Sequence, residues 1–258
     1  MKCDYFAALR HGHADNNKAE ENFKAGDARA YDDAVEVPSS CHDLTDEGRR
    51  QAILTGIWLR EHGFEFDEYV VSGFIRTMRF ASLLSIPQAE WRIDERLCEK
   101  DSGVLNTLTP SKVRLHIEAR GHARHEQDPY HFRPEHGESF LDLDVRIRPA
   151  FEDLRKRSLV VCHGHVIRVL DRVIMEGMSG WEFSLFHPVR GDIPNGTLIE
   201  YRRDGEGWLR RQSVPHIGRA PSDDWKPIIT IRRSNAELTA IIERVLTHVR
   251  SLNKEAAA

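Results

Sequence analysis

The sequence predicts an α/β fold: a three-layer α/β/α sandwich with a mostly parallel central sheet and helices on both faces. Three observations carry this expectation. Short apolar runs at 5–9, 69–71, 159–161 and 197–201 have strand character. Segments of helical character separate the first three, the alternation that covers both faces of a parallel sheet. Two of the runs end at a histidine followed at once by glycine, Arg10-His11-Gly12 and His163-Gly164. In open α/β sheets, ligands bind just beyond the carboxyl ends of the strands.

After the first strand, Thr45 can cap a helix running to about Glu61, with Gly63 as its stop signal. The second strand is followed by a helix near 77–85. Residues 139–147 and 149–157 read as helical, with Pro149 breaking or kinking the pair. The run at 197–201, followed by Asp204-Gly205 and Trp208-Leu209, indicates a hairpin. The last helix, about 235–253, carries Leu238, Ile241, Ile242, Val245, Leu246, Val249 and Leu252 on one face, and Ser234 with Glu237 forms a capping box. Its stripe either completes the core, the blander reading, or forms a homodimer contact. Two stretches look irregular: 18–43, and the His- and Arg-rich 106–138, which reads as a cap or lid. The 258 residues fit one large domain or two small ones, and one is the expectation.

Bulk properties narrow the function. A net charge of −4 gives no footprint for nucleic acid or an anionic membrane, so any positive field is local. The four cysteines are scattered without CxxC spacing, which suits free thiols in a reducing compartment. Charge and histidine by residue 10 argue against a signal peptide, and no run approaches membrane-spanning length. The expectation is a cytoplasmic protein with no membrane or nucleic-acid partner.

Arg10-His11-Gly12 can support phosphoryl chemistry. A neutral imidazole attacks phosphorus to give a phosphohistidine, splitting a hard hydrolysis into two steps. Arginine meets the phosphate oxygens with its planar fork, Asn17 can add a neutral donor, and Gly12 would let a ligand approach closely. Alone, the tripeptide is also explained by a strand-end histidine bonded to backbone. Further elements change that balance: Thr45-Asp-Glu-Gly48 opening a helix, Arg76 just past the second strand, Glu99, Gly137-Glu138-Ser139, and His163-Gly164.

In this order and spacing the chain resembles the histidine phosphatase (phosphoglycerate mutase-like) superfamily over residues 4 to 201. The resemblance implies His11 as the phosphorylated nucleophile. Arg10, Arg76 and His163 would cradle the phosphoryl group, with Asn17 and the Gly164 amide as lesser donors. Glu99 would be the general acid, its pKa raised toward neutrality by burial. His163 would act as a phosphate-binding cation. The segment from Arg114 to Glu138 would be the variable cap, with Arg124 and Arg133 as candidates for contacting substrate and Arg133 able to meet a second anionic group. No cofactor or metal is implied. The chain departs from the family pattern at His13, Gly73 and His165, and its 18–43 segment is longer than usual.

The expected activity is hydrolysis of a small phosphate ester, with phosphoglycerate mutase-type transfer as the alternative. Lower alternatives are a zinc-dependent hydrolase using His11-x-His13-x-Asp15, which explains neither Arg10 nor Arg76, and a non-catalytic phosphate-binding protein.

Overall fold

The computed structural model describes residues 3–119, 128–155, 157–175, 177–183, 193–205, 207–218, 225–228 and 232–255. A seven-stranded sheet forms its centre: β1 (Tyr5–Arg10), β2 (Glu68–Val71), β3 (Trp91–Ile93), β4 (Arg157–Cys162), β5 (Leu198–Asp204), β6 (Gly207–Ser213) and β7 (Lys226–Ile228), in the order β3-β2-β4-β1-β5-β6-β7. The pairs β3–β2, β2–β4 and β4–β1 are parallel, while β1–β5, β5–β6 and β6–β7 are antiparallel. The sheet is therefore mixed: a parallel half that bears the two His-Gly ends, and an antiparallel half built from the expected hairpin.

The alternation of β1 shows why it lies at the centre. Phe6 and Ala8 pack into one apolar cluster, Ala7 and Leu9 into the other, and all four are fully buried. One face is covered by α2 (Asp46–Glu61) and α3 (Ile75–Leu83), the other by α5 (Phe140–Glu152) and α6 (Gly164–Ile174). Thr45 caps α2 by accepting from the Gly48 N–H at 3.2 Å, and Gly63, in the left-handed region at φ +66°, follows its end.

Several expectations are corrected. The 18–43 stretch is not wholly irregular, since α1 (Asp15–Lys24) occupies its start. Only Ala19 of this helix is buried, so the sequence offered no apolar stripe to read. Within 106–138, α4 (Pro110–Ala119) starts with proline at its first position, where no N–H is needed. Pro149 does not divide the helical segment: α5 is continuous through it, because that side of the helix, with Val145 four residues earlier, faces solvent. The last helix, α7 (Asn235–Glu255), has its capping box, with Ser234 N and Oγ donating to Glu237 Oε2 at 2.7 and 2.9 Å. Its stripe does not complete the core: Leu238, Ile242 and Leu246 are 49%, 55% and 40% exposed.

Candidate active site

The register of β1 against β4 creates the site. Arg10 pairs with Cys162, so the next residues, His11 and His163, leave the sheet side by side with ring centroids 5.2 Å apart. The His11 N–H donates to the Cys162 carbonyl at 3.1 Å and the Ser72 N–H to Val161 at 3.0 Å, fixing three strand ends together. Gly48 is required by the same packing. A Cβ there would lie 1.9 Å from the His13 carbonyl oxygen, and one on Gly12 would lie 2.7 Å from the Gly48 carbonyl. What approaches Gly12 closely is thus α2 and Phe80 rather than a ligand.

His11 is buried, and its Nδ1 faces the Gly12 carbonyl at 2.7 Å. A carbonyl only accepts, so Nδ1 carries the hydrogen and Nε2 the lone pair. Burial first, then the charges of Arg76 and Arg10, holds this imidazole well below its usual pKa. It is neutral at pH 7, as a nucleophile must be. Arg76 Nε donates to His11 Nε2 at 3.3 Å, and Arg76 Nη1 donates to the Ser39 carbonyl. Burial pushes the Arg76 pKa down to about 10, which leaves it charged. Arg10 Nη1 donates to the Ile193 carbonyl.

His163 differs from its expected role. Burial, followed by the Arg76 charge, holds it well below its usual pKa, so it is a neutral ring rather than a cation. Its Nε2 meets Ser72 Oγ at 2.8 Å, while Nδ1 is buried with no partner among the described residues. Gly164 begins α6, so its N–H has no acceptor within the helix and lies at the positive end of the dipole. Arg10 lies beside it, 3.6 Å from where a Cβ would be. Asn17 Oδ1 accepts from the Ala14 N–H and from Asn195 Nδ2.

Glu99 is also corrected. Burial would raise its pKa, but the charge and hydrogen bond of His165, with His163 beyond, outweigh it and hold the carboxyl well below the usual range. His165 Nδ1 is 3.3 Å from Glu99 Oε1. Glu99 also lines a cleft of about 470 Å³ with Ser39, Ser40, Phe74, Lys100, Asn106 and Glu138 among its walls.

Three residues that sequence reasoning passed over support this arrangement. Asn195 Nδ2 donates to the His11 and Gly12 carbonyls at 3.1 and 3.2 Å, and Gly196, at φ +70°, turns the chain into β5 behind it. The Asn-Gly pair ahead of a strand was its only signal. Arg146 donates to the carbonyls of Arg96, Cys98 and Glu99 and pairs with Glu138, holding the loop that carries Glu99. Ser39 receives Arg76. Within the Gly-Glu-Ser element, Ser139 caps α5 and Glu138 accepts from the Asp101 N–H at 3.0 Å.

The remaining candidates lie elsewhere. His13 points toward α1 and α2, its Nδ1 2.8 Å from Thr45 Oγ1 and its Nε2 3.2 Å from Glu21. Asp15 accepts from the Asp43 N–H. The His11-x-His13-x-Asp15 side chains therefore do not converge, and no group of three or more His, Cys, Asp or Glu is placed to hold a metal among the described residues. Arg133 pairs with Asp142, is 63% exposed, and is not part of the cleft wall. Arg124 lies outside the described residues.

A model of the histidine phosphatase superfamily (branch 1) matches residues 7–213. Over 129 residues, 49% of the chain, the sequence is 30% identical to 6-phosphofructo-2-kinase/fructose-2,6-bisphosphatase 1 of Rattus norvegicus, covering 26% of that protein. It is 35% identical over 97 residues to the corresponding protein 4 of the same species, which is 37% of this chain and 20% of that one. The chain thus spans about a quarter of the length of the curated relatives it matches. Among solved structures, mycobacterial glucosyl-3-phosphoglycerate phosphatase with VO3 superposes with a TM-score of 0.60 at 21% identity, over 82% of this chain and 98% of that one. Mycobacterial hydrolase 1 gives 0.59 at 19%, over 90% and 100%. At these identities the likeness is one of fold.

Proposed function

The chain belongs to the histidine phosphatase superfamily, and from that premise we propose that it hydrolyses a small phosphate monoester through a phosphohistidine on His11. The observation that carries the reading is the His11 imidazole: buried, neutral, and held by Gly12 so that Nε2 is the nucleophilic nitrogen between Arg76 and His163. A phosphoryl dianion placed there would meet Arg10 and Arg76, the Gly164 N–H and the Asn17 amide, with His163 as a neutral hydrogen-bonding partner. These groups are fixed before substrate arrives, which is how preorganised charge lowers the barrier of phosphoryl transfer.

In the first step the Nε2 lone pair forms the N–P bond as the bond from phosphorus to the leaving oxygen breaks. Glu99 gives that oxygen a proton, and an alcohol departs. In the second step Glu99 takes a proton from water, the water oxygen bonds to phosphorus, and the N–P electrons return to His11. The cleft beside Glu99 offers Ser39, Ser40, Lys100 and Asn106 to a small hydroxylated leaving group, and the bisphosphatase named among the relatives makes sugar phosphates the first esters to try. No metal enters these steps, and EDTA should leave turnover intact. The free cysteines Cys3, Cys41, Cys98 and Cys162 support a reducing compartment, the cytoplasm.

The test is His11→Ala against wild type on an aryl phosphate, with labelled phosphate on the denatured protein as the second readout. Acid-labile, base-stable label on wild type alone and loss of turnover in the variant are expected. Unchanged turnover in His11→Ala refutes the nucleophile. Isomerisation of 3-phosphoglycerate without release of phosphate refutes the hydrolase in favour of the mutase.

A further inference from the structure

The mechanism above asks Glu99 to deliver a proton, yet its surroundings hold it ionised. The two contacts that set its position fall on the same oxygen: Oε1 accepts the Lys100 N–H at 2.9 Å and faces His165 Nδ1 at 3.3 Å. Among the described residues Oε2 has no hydrogen-bond partner, and Glu99 lines the cleft with Phe74, whose ring lies 5.1 Å from that of His163. His165 follows Gly164 in the first turn of α6, its ring 5.4 Å from that of Phe140 and its side chain 45% exposed. The ring thus touches the acid on one side and solvent on the other.

Resting on the phosphatase reading, we propose that His165 is a positioning residue for proton transfer: it shares one proton with Glu99 through the Nδ1–Oε1 contact. With one proton on the pair, two forms interconvert, carboxylate with imidazolium and carboxylic acid with neutral imidazole. A phosphoryl dianion next to Oε2 repels the carboxylate and draws the proton from Nδ1 to the carboxyl group. The carboxyl proton then goes to the leaving oxygen as its bond to phosphorus breaks. Water returns a proton to Glu99 in the second step, so the pair again holds one.

The pair, rather than either residue, defines the titration. The charged and titratable groups around His165 are Glu99, Lys100 and Glu138 on the loop side and His163 and Arg168 on α6. Asp142 on α5 lies beyond Lys100, and Arg76 and Arg10 lie beyond Glu99. Lys100 and Arg168 both stack on Phe140, the ring that His165 also touches. With one shared proton the pair is neutral, and a second would make it cationic beside Lys100 and Arg168.

The experiment compares an alkyl phosphate, whose leaving oxygen needs a proton, with an aryl phosphate, whose leaving oxygen does not. Wild type, His165→Gln and His165→Ala are assayed from pH 4.5 to 9. In both variants the loss of kcat on the alkyl ester should exceed the loss on the aryl ester by at least about tenfold. The basic limb of the alkyl profile should also shift by about one pH unit or more, because the carboxyl group then titrates without the imidazole. The aryl rate serves as the measure of folded, competent enzyme. Equal losses on the two esters, or an alkyl limb that stays in place, overturn the shared proton while leaving His11 chemistry intact. Wild-type turnover that does not depend on His11 overturns the phosphatase reading itself.

Discussion

Replacing Gly48 with alanine tests whether the His11 loop is held by backbone packing. The new Cβ would stand 1.9 Å from the His13 carbonyl oxygen, with the His13 carbonyl carbon and nitrogen at 2.9 and 3.0 Å. Because real Cβ atoms essentially never come within 3.0 Å of such a neighbour, the backbone two residues after His11 must move by about 1.1 Å. No flexible side chain can absorb this, since both partners are main chain. Displacements of that size near reacting groups cost roughly 10²-fold in rate, and overpacking of this kind costs about 1–3 kcal/mol of stability. Steady-state kinetics on an aryl phosphate and urea unfolding of the same sample measure both. Gly164→Ala is the comparison, because its Cβ would meet Arg10 at an ordinary 3.6 Å and stability should change little. Wild-type kcat in Gly48→Ala, with unchanged stability, would refute the argument that this contact places the nucleophile.

Arg146→Lys keeps the charge but loses the fork that reaches three carbonyls and Glu138; kcat on an alkyl phosphate should fall at least about tenfold, read by phosphate release. Asp94 gives a pH prediction. Its pKa sits near 2 despite burial, because Arg96 and Arg92 bond the ionised form. A depressed carboxyl pKa contributes stability above the unfolded value near 3.9, lost as pH falls toward 2. Asp94→Asn should therefore lower unfolding free energy by about 2 kcal/mol at pH 7, with the two proteins converging by pH 2 in denaturant titrations. Pro149→Ala should raise stability by about 1–3 kcal/mol in urea, because it restores a helix hydrogen bond in α5 at an exposed position.

The parts of the site at strand ends were the legible ones. Arg10, His11 and His163 follow apolar runs that could only be buried strands, and Arg76 and Glu99 stand at intervals that a recognisable motif order supplied. What could not be read were contacts that depend on how loops fold back. Asn195 reaches His11 across 184 positions, and Arg146 binds the Glu99 carbonyl across 47. No local period encodes either meeting. The charge state of Glu99 was misjudged for the same reason. Burial could be anticipated, whereas the His165 ring that reverses its effect is placed by the first turn of α6. Strands β3 and β7, three residues each, are too short for alternation to register.

The central place of β1 has a consequence for how the protein is made. Its partners on either side, β4 and β5, begin at residues 157 and 198, so β1 leaves the ribosome well before either strand that completes it. At about 5–20 residues per second, roughly eight to thirty seconds pass between the emergence of Arg10 and that of Cys162. During that interval Phe6, Ala7, Ala8 and Leu9, all fully buried in the finished sheet, have neither neighbour. The nascent chain thus carries a sticky edge on both sides of its N-terminal strand, a binding target for chaperones that hold unpaired apolar segments. The pairing of His11 with His163 likewise waits for the back half of the molecule, so a truncated translation product would expose this strand and lack the paired strand ends.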